Sequence, residues 1–199
     1  MTTLTVICNL TLDGVMQAPG RPDEDRRGGF EHGGWAAPYS GDAMGRVFAE
    51  GMTQEPGRDV ALLFGRRTYQ DFAAFWPHQQ GNPFSEVLNQ LRKYVSSATL
   101  AEPLPWMNSA LLKGDAAAAV AALKGTEPDQ DLVVLGSGEL IGSLLRRNLI
   151  DEFTLLIHPL VLGTGRRLFP VGAAATFQLV DSVGTTTGVV IATYRPIAR

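Results

Sequence analysis

The segment Gly65 to Thr68, with sequence GRRT, combines residue types that bind phosphate groups. It directly follows an apolar, strand-like run over residues 59–64. Gly65 lets the backbone come close to a ligand, and the guanidinium groups of Arg66 and Arg67 present planar sets of donors that match phosphate oxygens. Thr68 adds a hydroxyl and is a candidate N-cap for the helix that follows. Taken alone, the segment fits a phosphate site and a solvated turn closed by the capping threonine equally well.

Two downstream segments have the same character. Ser96 and Ser97 place hydroxyls at the end of a short strand, with Lys93 nearby. Further on, the turn over residues 136–138 (GSG) interrupts a Val/Leu-rich strand just before a helical pattern. The amides and dipole of such a helix N-terminus favour an anion. The turn lacks the third glycine and the later acidic residue of the Rossmann fingerprint, so the sequence predicts a phosphate site of another type.

Short apolar runs alternate with helical patterns, which predicts a single α/β domain over residues 1–199. The predicted strands span residues 3–10, 60–64, 94–96, 109–112, 132–135, 153–162, 176–182 and 189–194. The predicted helices span residues 42–53, 83–91, 115–125 (opened by Asp115) and 138–148. The late strand–loop–strand pattern predicts an antiparallel C-terminal end. Residues 17–40 are too long for an ordinary connection, so we expect a functional loop or lid there.

The amino-acid composition disfavours several kinds of binding partner and several cellular locations. The formal net charge is −3 and the basic residues are dispersed, which disfavours a nucleic-acid surface. The single cysteine, Cys8, excludes an internal disulfide and fits a reducing compartment. The three histidines lack metal-ligand spacing, so no metal is expected. No charged leader precedes the first apolar run, and no run approaches the ~18 residues of a spanning helix. We therefore expect a cytoplasmic protein without membrane partners.

The order of these segments resembles the dihydrofolate reductase superfamily. Within it, the chain is most similar to the reductase domain of the bifunctional riboflavin-biosynthesis deaminase-reductase. The run LTLDG (residues 10–14) resembles the first strand and turn of that branch, and LIDEFTLLIHPLVLGTGRRLF (residues 149–169) resembles its late signature. The resemblance covers nearly the whole chain. It implies a dihydrofolate reductase-like three-layer α/β fold with a mostly parallel central sheet. Because one cysteine cannot supply the zinc ligands of the deaminase half, we expect a stand-alone reductase-like domain.

The resemblance also implies hydride transfer from a reduced nicotinamide to a small-molecule substrate, and relatives indicate a homodimer. The cations and hydroxyls favour NADPH over NADH, since the 2′-phosphate adds negative charge. Residue matching assigns the following positions to the cofactor: Cys8, Asn9, Met16, Gln17, Gly65, Arg66, Arg67, Thr68, Ser96, Ser97, Gly136, Ser137, Gly138, Glu139 and Leu140.

The proton source has two candidates. Dihydrofolate reductase itself has a carboxylate early in its first helix, a few residues after a tryptophan. Here Asp42 follows Trp35 at a looser spacing, and Asp42 is either the substrate-facing catalytic carboxylate or only the N-cap of its helix. Asp13 competes for the catalytic role, although Asp-Gly is also an ordinary turn pair. Trp35 either forms a substrate-binding pocket wall or anchors the loop.

Three functions are consistent with these residues. The first is an NADPH-dependent reductase of a small heterocyclic or ribosylamino-pyrimidine substrate, similar to 5-amino-6-(5-phosphoribosylamino)uracil reductase. The second is dihydrofolate reductase itself, which the altered 35–42 segment and the riboflavin-type C-terminal signature disfavour. The third is a catalytically silent, dimeric nucleotide-binding module. A measurement of catalytic turnover would distinguish the two reductase functions from the catalytically silent module.

Overall fold

One eight-stranded sheet forms the middle layer of the protein. The computed structural model describes residues 1–52 and 57–197, and for residues 42–44 it describes the backbone alone. The strands, in chain order, are β1 (Leu4–Thr11), β2 (Asp59–Gly65), β3 (Arg92–Ser96), β4 (Ser109–Leu112), β5 (Gln130–Leu135), β6 (Glu152–His158), β7 (Thr176–Gly184) and β8 (Val190–Ile197).

The spatial order of the strands is β4-β3-β2-β5-β1-β6-β8-β7. The first six strands of the chain pair in parallel, whereas β8 pairs antiparallel with both β6 and β7. The central strand β1 lies between β5 and β6, with Val6 opposite both Val134 and Phe153. This confirms the predicted sheet and its antiparallel end.

Helices cover both faces of the sheet. They are α1 (Asp42–Gly51), α2 (Arg66–Phe75), α3 (Pro83–Gln90), α4 (Ala116–Thr126) and α5 (Gly138–Arg146), with short 3-10 turns at Arg27–Gly29, Ala37–Tyr39 and Trp76–His78. In the described part of the chain, no helix has the length and apolar character needed to cross a membrane.

Side chains of β1 alternate between two cores because successive residues of a strand point to opposite faces. Val6 and Cys8 pack into a cluster that includes Ile141 and Leu144 of α5, while Ile7 packs into a second cluster with Leu88 of α3. Both faces of the parallel strands are therefore buried, as a continuous apolar pattern requires. The three-layer prediction is confirmed.

Several predicted boundaries shift. The predicted strand over 153–162 ends at His158 because the following residues leave the sheet, and the helix predicted to reach residue 148 ends at Arg146. The predicted helix over 42–53 ends at Gly51, and Thr53 lies outside the described residues. Asp115 caps α4 as expected, because its Oδ1 accepts a hydrogen bond from the Ala118 amide at 2.8 Å.

Two side chains differ from their predicted roles. The N-cap of α2 is Gly65, so Thr68 lies in the first turn and does not cap the helix. Lys93 does not join a phosphate site, since its side chain is fully buried and its Nζ donates to the Leu91 carbonyl at 2.7 Å. The ammonium also lies 4.6 Å from the ring centroid of Trp106. The buried Lys93 side chain thus stabilises the start of β3 through its hydrogen bond to the backbone.

Candidate functional site

A large cleft opens above the carboxyl ends of β2, β3 and β5 and along β1. Its volume is about 2160 Å³. That is about twice the ~1,000 Å³ upper end for small-molecule pockets, which leaves room for a dinucleotide and a second ligand together. Ligand sites of open α/β sheets lie at this edge, where the connections diverge from the strands.

Every residue that the sequence assigned to a cofactor lines this one cleft. The four separate segments contribute Cys8, Asn9, Met16 and Gln17; Gly65, Arg66, Arg67 and Thr68; Ser96 and Ser97; and Gly136, Ser137, Gly138, Glu139 and Leu140. These segments are far apart in the sequence. They meet in the folded protein because the carboxyl ends of parallel strands lie at the same edge of the sheet.

Two of the connections interlock through the hydroxyl of Ser137. Its Oγ accepts a hydrogen bond from the Gly65 amide at 2.9 Å and donates one to Thr68 Oγ1 at 2.8 Å. A Cβ at Gly65 would lie 3.1 Å from that Oγ, which explains why a glycine is placed there. Gly136 (φ 77°) and Ser137 (φ 75°) both take left-handed conformations that turn the chain into α5. The first amides of α5, which have no acceptor within the helix, are thereby held beside the start of α2.

Arginines surround the start of α5. Arg67 Nη1 lies 3.6 Å and Arg166 Nη1 lies 3.1 Å from Glu139 Oε1. The carboxylate of Glu139 is 80% exposed, so these pairs are solvent-screened and an incoming anion can compete for the arginines. Arg66 extends along α2, with Nη1 3.3 Å from Gln70 Oε1. Arg166 also lines the cleft, and sequence reasoning did not assign it to the cofactor, since it lies in the late signature, far along the chain from the other cofactor segments.

Comparison with known proteins places the chain in a family. A family model described as the RibD C-terminal domain matches residues 2–191, which is nearly the full length. The chain belongs to the RibD C-terminal domain family.

The chain is also similar to a bacterial protein in sequence and to solved structures in fold. An uncharacterized protein of Bacillus subtilis (strain 168), YyaP, is 29% identical over 139 residues, covering 67% of this chain and 72% of that protein. A candidate riboflavin biosynthesis protein from Shewanella sp. PV-4 has a similar fold, with a TM-score of 0.68, 19% identity, and coverage of 99% of this chain and 100% of that one.

Two further structures share the fold. A pyrimidine reductase-like protein from Corynebacterium diphtheriae has a TM-score of 0.66 and 10% identity, covering 100% of this chain and 93% of that one. Dihydrofolate reductase from Enterococcus faecalis, complexed with NADP(H) and RAB-propyl, has a TM-score of 0.62 and 13% identity, covering 98% of this chain and 97% of that one. The expected dihydrofolate reductase-like fold is therefore confirmed.

In this RibD C-terminal domain, the wall of the cleft along β1 is electrically neutral. Burial raises the pKa of the Cys8 thiol to about 12, so the thiol is protonated at neutral pH. The Asn9 side chain is held by His158, whose Nε2 lies 2.9 Å from Asn9 Oδ1. The His158 ring is fully buried, with its centroid 5.1 Å from that of Trp35. Burial lowers the pKa of His158 to about 4 and keeps the imidazole neutral. Sequence reasoning did not assign His158 to the site, because its contact with Asn9 joins residues that are 149 positions apart.

Residues 17–40 form a fixed cover over one side of the cleft. The buried Gln17 connects the loop to the C-terminal half: its Nε2 donates to the Arg27 carbonyl at 3.0 Å and its Oε1 accepts from the Arg166 amide at 3.0 Å. Phe30 and Trp35 belong to a small core inside the loop. The indole Nε1 of Trp35 donates to the Gln17 carbonyl at 2.7 Å. Trp35 is buried and does not line the cleft. The structure therefore supports the interpretation that Trp35 anchors the loop, and not the one in which it forms a wall of the substrate pocket.

Asp13 is also an anchoring residue. Its carboxylate accepts hydrogen bonds from Thr11 Oγ1 at 2.6 Å and from the Gly163 amide at 2.9 Å. The hydrogen bond from Thr11, followed by those from the backbone, lowers the pKa of Asp13 to about 2. An acid of that pKa is a poor proton donor at neutral pH, and Asp13 does not line the cleft. These observations argue against a catalytic role for Asp13.

Asp42 occupies the first position of α1, and Gly41 is the N-cap, so the N-cap interpretation of Asp42 is wrong. The side chain of Asp42 lies outside the described residues. Its assignment as the catalytic carboxylate stays a prediction.

The far end of the cleft has a different chemistry. Helices α1 to α3 and the turn between α2 and α3 line it with aromatic rings: Phe48, Phe72, Phe75, Trp76 and Phe84. Asp71 of α2 is the charged residue of this end, and its Oδ1 lies 2.5 Å from Arg21 Nη2 of the loop. Among the described side chains, no group of three or more His, Cys, Asp or Glu residues is placed to hold a metal ion. The sequence did not predict these aromatic residues as part of the site, because their helical spacing is typical of residues that pack in a core.

Proposed function

We propose that this protein is an NADPH-dependent reductase that transfers hydride to a small heterocyclic acceptor, in the manner of the riboflavin-biosynthesis reductases. One observation carries the proposal. The residues that the family resemblance assigned to a dinucleotide lie on four distant segments, and the fold brings all of them to one cleft.

The residues at the cationic end of the cleft fit the phosphates of such a cofactor. The α5 N-terminus offers unpaired backbone amides and the positive end of the helix dipole. Arg66, Arg67 and Arg166 supply guanidinium groups around it. Phosphate oxygens pair well with planar guanidinium donors, and a 2′-phosphate gains from an additional arginine. This donor set supports NADPH in preference to NADH.

The residues along β1 fit the uncharged nicotinamide end. The protonated thiol of Cys8 adds no charge, and the amide of Asn9 is fixed by the neutral His158. Gln17 holds the covering loop against the Arg166 segment, which limits the access of water to this part of the cleft. The reduced nicotinamide, when bound, supplies the hydride, so the task of these side chains is to orient the ring and exclude water.

A proton must also reach the heteroatom of the acceptor. Asp42 is our candidate for this role, at the start of a helix whose residues Gly45, Phe48 and Ala49 line the cleft. The prediction rests on its place in the chain after Trp35, as in dihydrofolate reductase.

Turnover tests this proposal directly. The purified protein is mixed with NADPH and a panel of pyrimidine, pteridine and quinazoline acceptors, and the loss of reduced-nicotinamide absorbance is followed. We expect NADPH oxidation with at least one acceptor. Tight NADPH binding without oxidation across the panel would instead support the catalytically silent nucleotide-binding module.

A further inference from the structure

The charge of the cleft is distributed unevenly between its two ends. At the α5 end, Arg66, Arg67 and Arg166 line the cleft. At the other end, the described lining residues of α1, α3 and the second half of α2 include no lysine or arginine. A phosphate group on a substrate bound there would lose its water without gaining a cation, which is unfavourable.

The loop over the cleft does not correct this imbalance. It adds Arg21, Arg26 and Arg27, but it also carries Asp23, Glu24, Asp25 and Glu31, so its formal charge is −1. Arg21 is paired with Asp71 and stacks 4.3 Å from the centroid of Phe75. Arg27 is paired with Asp25. Arg26 Nε lies 3.4 Å from the carbonyl of Pro22 in its own loop.

Aromatic rings form a continuous series at this end. The centroids of Trp76 and Phe84 are 4.8 Å apart at an interplanar angle of 72°, and those of Phe75 and Trp76 are 5.1 Å apart at 86°. Phe48 extends the series from α1, 5.7 Å from Phe84. Rings that meet edge to face leave faces available for a planar ligand, which gains both apolar burial and stacking.

Two polar atoms give this end a means of recognising a heterocycle. Within the described residues, Asp71 Oδ2 and Trp76 Nε1 are buried and have no hydrogen-bond partner. Both residues line the cleft. Both atoms are closed off from solvent, so a heterocycle with a donor and an acceptor on its edge would pair with them only after the side chains at this end move.

We propose that the aromatic end of the cleft binds a flat, uncharged heteroaromatic ring without a phosphate group, held among Phe48, Phe75, Trp76 and Phe84. This rests on the proposed function and narrows it. Of the two acceptor types that the sequence suggested, the plain heterocycle is favoured and the phosphoribosylamino-pyrimidine is not.

Three probes that share a tricyclic ring test this inference by calorimetry. Lumichrome carries no side chain, riboflavin adds a ribityl chain, and riboflavin 5′-phosphate differs from riboflavin only by the phosphate. Each is titrated into the protein with NADP⁺ present and absent. We expect lumichrome to bind, and riboflavin 5′-phosphate to bind at least ~10-fold more weakly than riboflavin, since no cation compensates its charge.

Variants locate the binding site of the ring. Phe84→Leu keeps an apolar side chain for the core but loses the ring face, so lumichrome affinity should fall about 10-fold. Arg66→Ala is the matched control, which should weaken NADPH and leave lumichrome affinity unchanged. Tighter binding of the phosphate ester, an absence of lumichrome binding, or unchanged affinity in a folded Phe84→Leu variant would each overturn the inference.

The failure of this inference and the failure of the proposed function give different results. If NADPH binds and lumichrome does not, the reductase proposal stands and the aromatic subsite is wrong. If lumichrome binds to the aromatic end and NADPH binds nowhere, the subsite stands and the reductase proposal is wrong.

Discussion

At the scale of single residues, the environment separates two aspartates that the sequence could not separate. Asp13 stands in an Asp-Gly turn, and the structure shows its carboxylate fully engaged with Thr11 and with the backbone near Gly163. Gly163 lies 150 residues away along the chain, so no local pattern could reveal that contact. Asp42 begins α1, and Phe48 of the same helix lies at the aromatic end of the cleft.

We predict that Asp42→Asn lowers kcat/KM about 10²-fold or more with an identified acceptor, while NADPH affinity stays intact. Positioned acid–base groups contribute ~10²- to 10⁴-fold, and the amide cannot deliver a proton. The measurement is steady-state kinetics beside an NADPH titration. Asp13→Asn is the control and should lose stability more than activity. Normal turnover by Asp42→Asn together with an inactive, folded Asp13→Asn would reverse the assignment.

The buried imidazole of His158 gives a second residue-scale prediction. Burial lowers its pKa from the ordinary value of 6.5 to about 4, so the unfolded chain takes up a proton at a higher pH than the native protein does. The stability linked to His158 is therefore complete above pH 6.5 and is lost as the pH falls towards 4, by up to ~3 kcal/mol.

Denaturant unfolding of the wild type and of His158→Gln between pH 4 and pH 7.5 measures this contribution. Because other titrating groups are common to both proteins, the difference between the two curves isolates the histidine. We expect the wild type to lose more stability than the variant on acidification. Parallel curves would show that the pKa of His158 is the same in the native and unfolded protein.

At the scale of elements, the sequence predicted most strands and helices because β-strands here are buried, apolar runs and the helices have clear ends. Asp115 and the start of α5 at Gly138 are examples of such ends. The interlock through Ser137 was not predictable, because it depends on two connections that are far apart in the chain. The aromatic end was missed for the same reason, since Phe48 and Phe84 meet only in the folded protein.

The turn from β5 into α5 can be tested with Gly138. Its φ is not in the left-handed region, so a side chain there would not strain the backbone and would act only through the space that it fills. A Cβ at this position would lie 2.8 Å from the Sδ of Met16 in the cleft. Gly138→Val should therefore fold, because the Met16 side chain can move, but should displace Met16 into the cofactor region and weaken NADPH at least ~10-fold.

The control is Gly125→Ala in α4, where an added Cβ meets nothing within 4 Å and lies away from the cleft. Fluorescence titration with NADPH and a thermal melt are recorded for each variant. If a folded Gly138→Val variant binds NADPH like the wild type, the start of α5 only turns the chain.

At the scale of the whole molecule, the outer edge of the sheet has an exposed apolar surface. In the described part of the chain, β7 pairs only with β8, and Leu179, Val180 and Val183 are each about half exposed. Open apolar edge strands are sites of association unless they are covered. We therefore propose that a second copy of the chain covers β7, which gives the homodimer expected from the family resemblance.

Light scattering coupled to size-exclusion chromatography measures this association. We expect the mass of a dimer for the wild type and of a monomer for the double variant Val180→Lys/Val183→Lys, because lysines on an edge strand oppose pairing. Val171→Lys is the control, since Val171 is fully exposed and lies outside β7. A monomeric wild type would contradict the proposal.

The account as a whole depends on the cationic end of the cleft being the phosphate site of NADPH. Side-by-side fluorescence titration of NADPH and NADH, on the wild type and on Arg66→Ala/Arg67→Ala, tests this most directly. We predict that the wild type binds NADPH more tightly than NADH. The double variant should lose tens of fold in NADPH affinity with little change for NADH, since charge-assisted hydrogen bonds contribute ~1.5–3 kcal/mol each. Equal affinity of the wild type for the two cofactors would contradict the account.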